Sequence, residues 1–303
     1  MAAEHPHRAG FVSLFGRSNV GKSTLLNRLV GEKLAIVSPR PQTTRTRITA
    51  IKTLPGAQVV FIDTPGLHEP RGKLGQLMAR TAHRALEDVD LVCLVAEATE
   101  DPAALDGGLF KTLAGFRGPV FCCLNKVDAA EPKTRVLPLI EAYQAHYPFK
   151  EILPISATDG TNCERLLHLI AGALPEHPPY FPPDTLTDQP ETFFVAEVIR
   201  EQLFLLTREE VPYACAVRVD QLEERPGREL LYIRARIFVE QDSQKAIVIG
   251  KGGAMLKRIG SAARQELERF FRIKVFLELR VEVRRHWRKD DRALREFGFM
   301  LTS

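Results

Sequence analysis

The sequence predicts two domains: an α/β domain with a mostly parallel sheet covered by helices on both faces, then a smaller, basic α+β domain. Three observations predict this. Up to residue 175, short apolar strands alternate with helix-length amphipathic stretches, the pattern of βαβ units. Six prolines (175, 178, 179, 182, 183 and 190) then exclude both helix and interior strand, so 176–190 reads as a semi-rigid linker. From 191 to 303 the order becomes helix, strand, strand, helix, helix, strand, with no internal repeat.

A length of 303 residues suits two domains better than one, and 45% apolar with 26% charged residues is ordinary for a globular protein. The net charge of +4 is unevenly placed: Lys245–Arg295 holds 15 Lys and Arg against 6 Asp and Glu, a net of +9. Such a stripe suggests a polyanion partner. The five cysteines form no C-x-x-C pair, which argues against a disulfide framework or zinc site and fits a reducing cytoplasm. The N-terminus lacks the apolar core of a signal peptide, and no apolar run approaches the ~18 residues of a membrane span. The expectation is a soluble protein.

The first strand, Phe11–Phe15, runs into Gly16-Arg17-Ser18-Asn19-Val20-Gly21-Lys22-Ser23 and then a helix beginning near Lys22. This is G-x-x-x-x-G-K-[ST] between strand and helix. Gly16 and Gly21 let backbone N–H groups converge, and the helix dipole makes the loop an anion site. Lys22 is placed to reach β/γ-phosphates and Ser23 to ligate Mg²⁺. A chance glycine turn would look the same, so three further landmarks decide. Residues 32–48 form a long, exposed loop leading to a strand near Arg47–Leu54. After the turn at Pro55-Gly56, strand 58–62 ends in Asp63-Thr64-Pro65-Gly66; Asp63 falls beside the Mg²⁺ site, and Gly66 can offer its N–H to a γ-phosphate. Helix Lys73–Glu87, strand Val89–Val95, helix Ala104–Phe116 and strand Pro119–Leu124 lead to Asn125-Lys126-Val127-Asp128. The Asp128 carboxylate can accept from N1–H and the 2-amino group of guanine, donors that adenine lacks. Asn125 would hold the loop and bond near the purine O6/N7 side. Helix Pro132–His146 and strand Glu151–Ile155 precede Ser156-Ala157, where a backbone N–H can reach guanine O6; helix Cys163–Leu174 closes the domain.

The landmarks select Gly16 to Thr24, Asp63, Thr64, Pro65, Gly66, Asn125, Lys126, Asp128, Ser156 and Ala157 as nucleotide-contacting, with Lys22 and Gly66 acting on the γ-phosphate. Leu67 stands where related sites carry a water-orienting glutamine, so slow intrinsic hydrolysis is expected.

In the second domain, helix Glu191–Thr207 turns Phe194, Val198 and Leu205 inward. Strands Tyr213–Val219 and Glu229–Val239 flank Arg225-Pro226-Gly227, and helix Ser243–Ile249 meets helix Ala254–Phe271 through Gly250-Lys251-Gly252-Gly253. Strand Lys274–Val283 and a basic helical tail, Trp287–Phe297, follow. G-x-x-G between two helices is the backbone clamp of KH domains, although the tetrapeptide alone is a weak signal. Ile249, Gly250, Lys251, Gly252, Gly253, Lys245, Lys257 and Arg258 are the expected single-stranded RNA contacts, with Ile247, Val248, Ile249 and Ile259 as an apolar platform for bases. The run Arg284–Lys289 either extends that surface or is a solvated basic helix end.

Taken together, these motifs resemble the Era family of bacterial GTPases, which carry a C-terminal type II KH domain. The resemblance rests on the 16–23 loop, Pro-Gln-Thr-Thr-Arg (41–45), Asp-Thr-Pro-Gly-Leu-His (63–68), Asn-Lys-Val-Asp (125–128), Ala-Glu-Val-Ile-Arg-Glu (196–201) and Val-Ile-Gly-Lys-Gly-Gly (248–253), and spans nearly the whole chain. It implies a P-loop GTPase domain over 1–175 and a KH domain over 191–303, using GTP/GDP and Mg²⁺. It further implies a monomer that acts in 30S ribosomal subunit assembly and grips the single-stranded 3′ end of 16S rRNA. It implies Thr44 as the switch threonine that meets Mg²⁺ with Ser23 and Asp63, and peripheral association with the inner face of the membrane, for which the residues themselves give no support. Asn19 matches a K⁺-binding position of related cation-dependent GTPases; a loop-bracing hydrogen bond is the competing role. Glu97, where Asp is commoner in the family, is expected to matter little. Two other classes share these motifs: a nucleotide-gated binding protein with negligible turnover, and a GTPase whose second domain contacts protein or membrane.

Overall fold

The computed structural model describes residues 6–67, 70, 72–101, 105, 107–225, 227 and 229–299. Its contacts divide the chain into one unit of Met1–Ala35, Thr44–Glu69 and Met78–Asp188, and a second of Ile36–Thr43, Pro70–Leu77 and Gln189–Ser303. His68, Ala104 and Pro226, which belong to sequence-predicted features, lie outside the described residues.

The first unit runs β1 (Arg8–Phe15), α1 (Lys22–Val30), β2 (Ile48–Leu54), β3 (Ala57–Asp63), the part of α2 (Gly72–Arg84) from Met78 onward, β4 (Leu91–Glu97), α3 (Gly107–Leu113), β5 (Val120–Asn125), α4 (Val136–His146), β6 (Glu151–Pro154) and α5 (Cys163–Ala173). The sheet order is β2-β3-β1-β4-β5-β6, and only β2 pairs antiparallel, with β3. β3 and β5 are buried along their whole length, as expected for strands covered on both faces. Registers bring the motif ends to one edge: Leu14 pairs with Asp63, and Glu97 with Asn125. Ligand loops belong at that carboxyl edge.

Two sequence expectations are corrected here. The long loop before β2 has no regular structure but is not exposed: Leu34, Ala35, Ile36, Thr43, Thr44 and Arg45 are buried. Its start is held by the Asn27 side chain, whose Oδ1 accepts from Leu34 and Ala35 N–H (3.0 and 2.9 Å) and whose Nδ2 donates to Ala35 O (2.7 Å). The proline-rich segment, read as a linker, lies against β2 and β3. The amide of buried Gln58 accepts from Tyr180 and Phe181 N–H and donates to Phe181 O, while Ile51 N–H donates to Leu186 O. Prolines excluded regular structure; they did not exclude docking through the remaining backbone groups.

The second unit runs α6 (Glu191–Leu206), α7 (Val211–Ala214), β7 (Ala216–Arg225), β8 (Leu230–Val239), α8 (Asp242–Ile249), α9 (Ala254–Phe271), β9 (Lys274–Val283) and α10 (Asp291–Glu296). In its sheet β8 is central, antiparallel to β7 and parallel to β9. Alternate residues of β8 (Leu231, Ile233, Ala235, Ile237, Val239) enter a core shared with α6 and α9. Leu205 is 48% exposed, contrary to its expected inward direction; Leu203 and Phe204 fill that part of the helix face instead. The tail is also corrected: a 3-10 turn at Trp287–Lys289 precedes α10, capped by Asp290 accepting from Arg292 N–H. Trp287 is fully buried, and its Nε1–H donates to Ala214 O (2.8 Å). The tail thus completes this unit's fold.

Candidate nucleotide and nucleic-acid sites

The loop after β1 needs its glycines for space as well as conformation. A Cβ on Gly16 (φ 147°) would stand 2.3 Å from Val95 O, and one on Gly21 (φ 95°) 2.3 Å from Asn125 Nδ2. Lys22 folds across the loop, its Nζ donating to Gly16 O (3.1 Å) and Arg17 O (2.8 Å). Burial lowers its pKa to about 8, with Asp63 pulling the opposite way. Ser23 Oγ donates to Asp63 Oδ2 (2.6 Å) and lies 2.9 Å from Thr44 Oγ1, so the three expected Mg²⁺ ligands meet. Burial raises the pKa of Asp63, opposed by Lys22 and by hydrogen bonds from Ser23 and Thr44. Asp63 Oδ1 is buried without a partner. Hard oxygen donors with one carboxylate oxygen left unsatisfied fit a magnesium ion.

Gly66 presses against the loop: a Cβ there would lie 2.6 Å from Ser18 N and 2.7 Å from Ser18 Oγ. The next residue's N–H, that of Leu67, donates to Gly16 O (3.0 Å), while its side chain packs on the cluster containing Phe15 and Leu94. Thr64 hydroxyl donates to Leu14 O, away from the loop's anion-binding face.

On the base side, buried Asn125 donates through Nδ2 to Val20 O (2.8 Å) and accepts at Oδ1 from Ala157 N–H (2.9 Å), joining three motifs. Of the Ser156-Ala157 segment, where a backbone N–H was expected to reach guanine O6, Ala157 N–H is engaged by Asn125 and Ser156 N–H by Thr161 O. Asp128 is exposed beyond Lys126, whose φ of 68° turns the chain outward. Lys126 Nζ donates to Asn19 O (2.8 Å) and pairs with Glu97. Glu97 is thus tied to the phosphate loop through Lys126, a role the sequence did not suggest. Asn19 sits at φ 67°, which asparagine tolerates better than most residues. Arg28, also missed from the sequence, donates through Nε to Ala157 O (3.1 Å) and through Nη2 to Thr158 O, linking α1 to the base loop. Its only sequence signal was a cation in a helix whose neighbours Leu25, Leu26 and Leu29 are apolar.

In the second unit, Gly250, Gly252 and Gly253 all have positive φ (72°, 59° and 79°) between α8 and α9. Lys251, Lys257 and Arg258 are exposed, Lys245 is half-buried, and among the described residues none of the four joins an ion pair. The apolar platform is redrawn. Val248 and Ile259 are fully buried in the core and Ile249 is half-buried against it, leaving only Ile247 of the four exposed. Instead, a cavity of about 390 Å³ opens beside the loop, lined by Gly253, Leu256, Lys257, Gly260, Ser261, Arg264, Leu277 and Leu279. Leu277 and Leu279 come from β9 and were not singled out in the sequence. Three of the tail cations are paired: Arg284 with Asp290 and Glu296, Arg285 with Asp242, and Arg288 with Glu240.

The G-x-x-x-x-G-K-[ST] loop, the clustered oxygens of Ser23, Thr44 and Asp63, and the Asn125–Asp128 loop share one sheet edge, the arrangement of a P-loop GTPase domain, here followed in the chain by a KH fold. Residues 11–126 match the model of the 50S ribosome-binding GTPase family, and residues 210–288 that of the KH domain. The chain is 54% identical to GTPase Era of Geobacter metallireducens, covering 98% of this chain and 99% of that protein, and 47% identical to GTPase Era of Lacticaseibacillus paracasei, covering 97% of each. It superimposes on the crystal structure of Era in complex with MgGDPNP and nucleotides 1506–1542 of 16S ribosomal RNA with a TM-score of 0.93, at 40% identity over 97% of this chain and 100% of that one. An Aquifex aeolicus Era variant bound to GDP·AlF4⁻ gives 0.91, at the same identity and coverage. The chain belongs to the Era family of GTPases.

Proposed function

We propose that the chain binds the single-stranded 3′ end of 16S rRNA in its KH unit and acts, as a GTP-dependent switch, in 30S subunit assembly. The observation that carries this reading is the Gly250–Gly253 loop, with exposed Lys251 and Lys257 beside a 390 Å³ groove walled by Leu256, Leu277 and Leu279. Backbone N–H groups at the start of α9 and the cations suit a sugar-phosphate backbone, and the leucines suit unstacked bases. The Era complex with nucleotides 1506–1542 of 16S rRNA supports the choice of RNA.

In the first unit we assign Gly16–Thr24 to the phosphates, Asp128 to the guanine N1–H and 2-amino group, and Asn125 to bracing the phosphate and base loops together. Ser23, Thr44 and Asp63 would hold Mg²⁺, which when bound neutralises charge on the β- and γ-phosphates. Lys22 leaves Gly16 O and Arg17 O to pair with phosphate, which restores the charge its burial disfavours. The γ-phosphate fixes residues 32–48 together with Gly66 and Leu67, and hydrolysis releases them. K⁺ beside Asn19 would supply further positive charge; turnover equal in K⁺ and Na⁺ buffers would remove it. The reading places a monomer in the cytoplasm, with attachment to the membrane's inner face resting on family resemblance alone; vesicle flotation tests that last point.

The test is titration of labelled single-stranded RNA carrying the 16S 3′-terminal sequence against wild type and Gly252→Asp. The expected result is salt-sensitive binding that weakens at least about tenfold in the variant. Equal affinity in both would overturn the assignment of RNA binding to the Gly250–Gly253 loop.

A further inference from the structure

We propose that Ser18 is a catalytic residue, its hydroxyl orienting the water that attacks the γ-phosphate, in the role that Leu67 cannot fill. The proposal rests on the assignment of Gly16–Ser23 to the phosphates made above.

Among the described residues, two functional-loop side chains at this sheet edge bear a buried oxygen with no partner: Asp63 Oδ1 and Ser18 Oγ. The Mg²⁺ site explains the first. A buried hydroxyl left without a hydrogen bond is destabilising, so Ser18 Oγ calls for a partner of its own. Its position indicates which. Ser18 is the third residue of the phosphate loop, and its Oγ lies 2.7 Å from where a Cβ on Gly66 would stand. Gly66 is the residue whose N–H faces the γ-phosphate in this reading, so the hydroxyl belongs to the γ-phosphate end of the site.

Leu67 takes no part in polar orientation. Its side chain packs against an apolar cluster, and its backbone N–H is held by Gly16 O. Lys22 and Ser23 are committed to phosphate and metal. Ser18 combines a free donor and acceptor with the right location. A hydroxyl can accept one O–H of the incoming water while donating its own hydrogen to a γ-phosphate oxygen. As the water oxygen bonds to the γ-phosphorus, the bond from that phosphorus to the β,γ-bridging oxygen breaks and GDP leaves. The water proton passes to the phosphate product, and Ser18 ends the cycle unchanged.

The experiment compares wild type, Ser18→Ala, Ser18→Thr and Lys22→Ala. It reads single-turnover GTP hydrolysis alongside affinities for fluorescent GDP and a non-hydrolysable GTP analogue. Ser18→Ala should slow hydrolysis about tenfold, the worth of one hydrogen bond to a charged group, with both affinities within about twofold of wild type. Ser18→Thr, which keeps the hydroxyl, should stay within about threefold of the wild-type rate. The proposal is overturned if Ser18→Ala hydrolyses at the wild-type rate, if the Thr variant falls as far as the Ala variant, or if the Ala variant's lost rate is matched by lost GDP affinity. Lys22→Ala separates the two levels of failure. If it keeps wild-type affinity, the phosphate-site assignment and the Ser18 role both fall; if it loses binding while Ser18→Ala is silent, only Ser18's role falls.

Discussion

At the residue scale, Asn27 spends its whole side-chain amide on the start of the loop that ends in Thr44. Alanine there leaves two N–H groups and a carbonyl to find other partners, each worth about 1 kcal/mol when part-buried. Asn27→Ala should therefore lower stability by about 1–3 kcal/mol in urea unfolding. It should also raise the Mg²⁺ concentration needed for half-maximal turnover, because Thr44 is less well placed. Arg28, the next residue of α1, reaches instead to the base loop, where it holds the carbonyls of Ala157 and Thr158. Arg28→Met keeps the apolar stem and removes those bonds, and should weaken GDP affinity about threefold to tenfold in a fluorescence titration. Neither residue was legible in the sequence. Their partners lie 7 to 8 and 129 to 130 positions away, and a polar residue inside a helical pattern carries no mark of what it reaches. Glycine and carboxylate chemistry was legible because it is local. Gly16, Asp63 and Asn125 act at strand ends and Gly21 at the start of α1, where the backbone itself sets their direction.

At the element scale, the tail after β9 shows how a basic run can mislead. Arg284, Arg285 and Arg288 pair with carboxylates, and its tryptophan closes the core near α7. Trp287→Ala should cost about 3–5 kcal/mol of stability, measured by thermal or denaturant unfolding. Replacing Arg285 with alanine should leave RNA affinity within about twofold, since that cation already faces Asp242. The α8–α9 loop behaves in the opposite way. A Cβ on Gly252 meets nothing within 4 Å, and its φ of 59° is one that aspartate tolerates, so Gly252→Asp should fold normally and lose RNA affinity through charge alone. The groove beside that loop was only half legible. Helical spacing marked α9, but Leu277 and Leu279 reach the groove through strand register, which pairs β9 with β8.

For the whole molecule, alternating strand and helix, the proline-rich stretch and the late basic stripe were enough to predict both fold classes. The role of residues 176–188 was not predictable, because their docking depends on Gln58, more than a hundred residues earlier. Each unit has its own apolar cluster, one around Phe15, Leu94 and Leu124 and the other around Ile199, Ile233 and Leu267. Lys22→Ala should accordingly abolish GTP turnover while nucleotide-free affinity for single-stranded RNA stays within about twofold. A GTP-bound first unit and a second unit holding ribosomal RNA belong to one working state, which crosslinking the GTP-loaded protein to cellular RNA and sequencing the bound sites would capture. Reads should concentrate at the single-stranded 3′ end of 16S rRNA and be lost in Gly252→Asp. Reads spread over unrelated RNAs, or unchanged by that substitution, would contradict this.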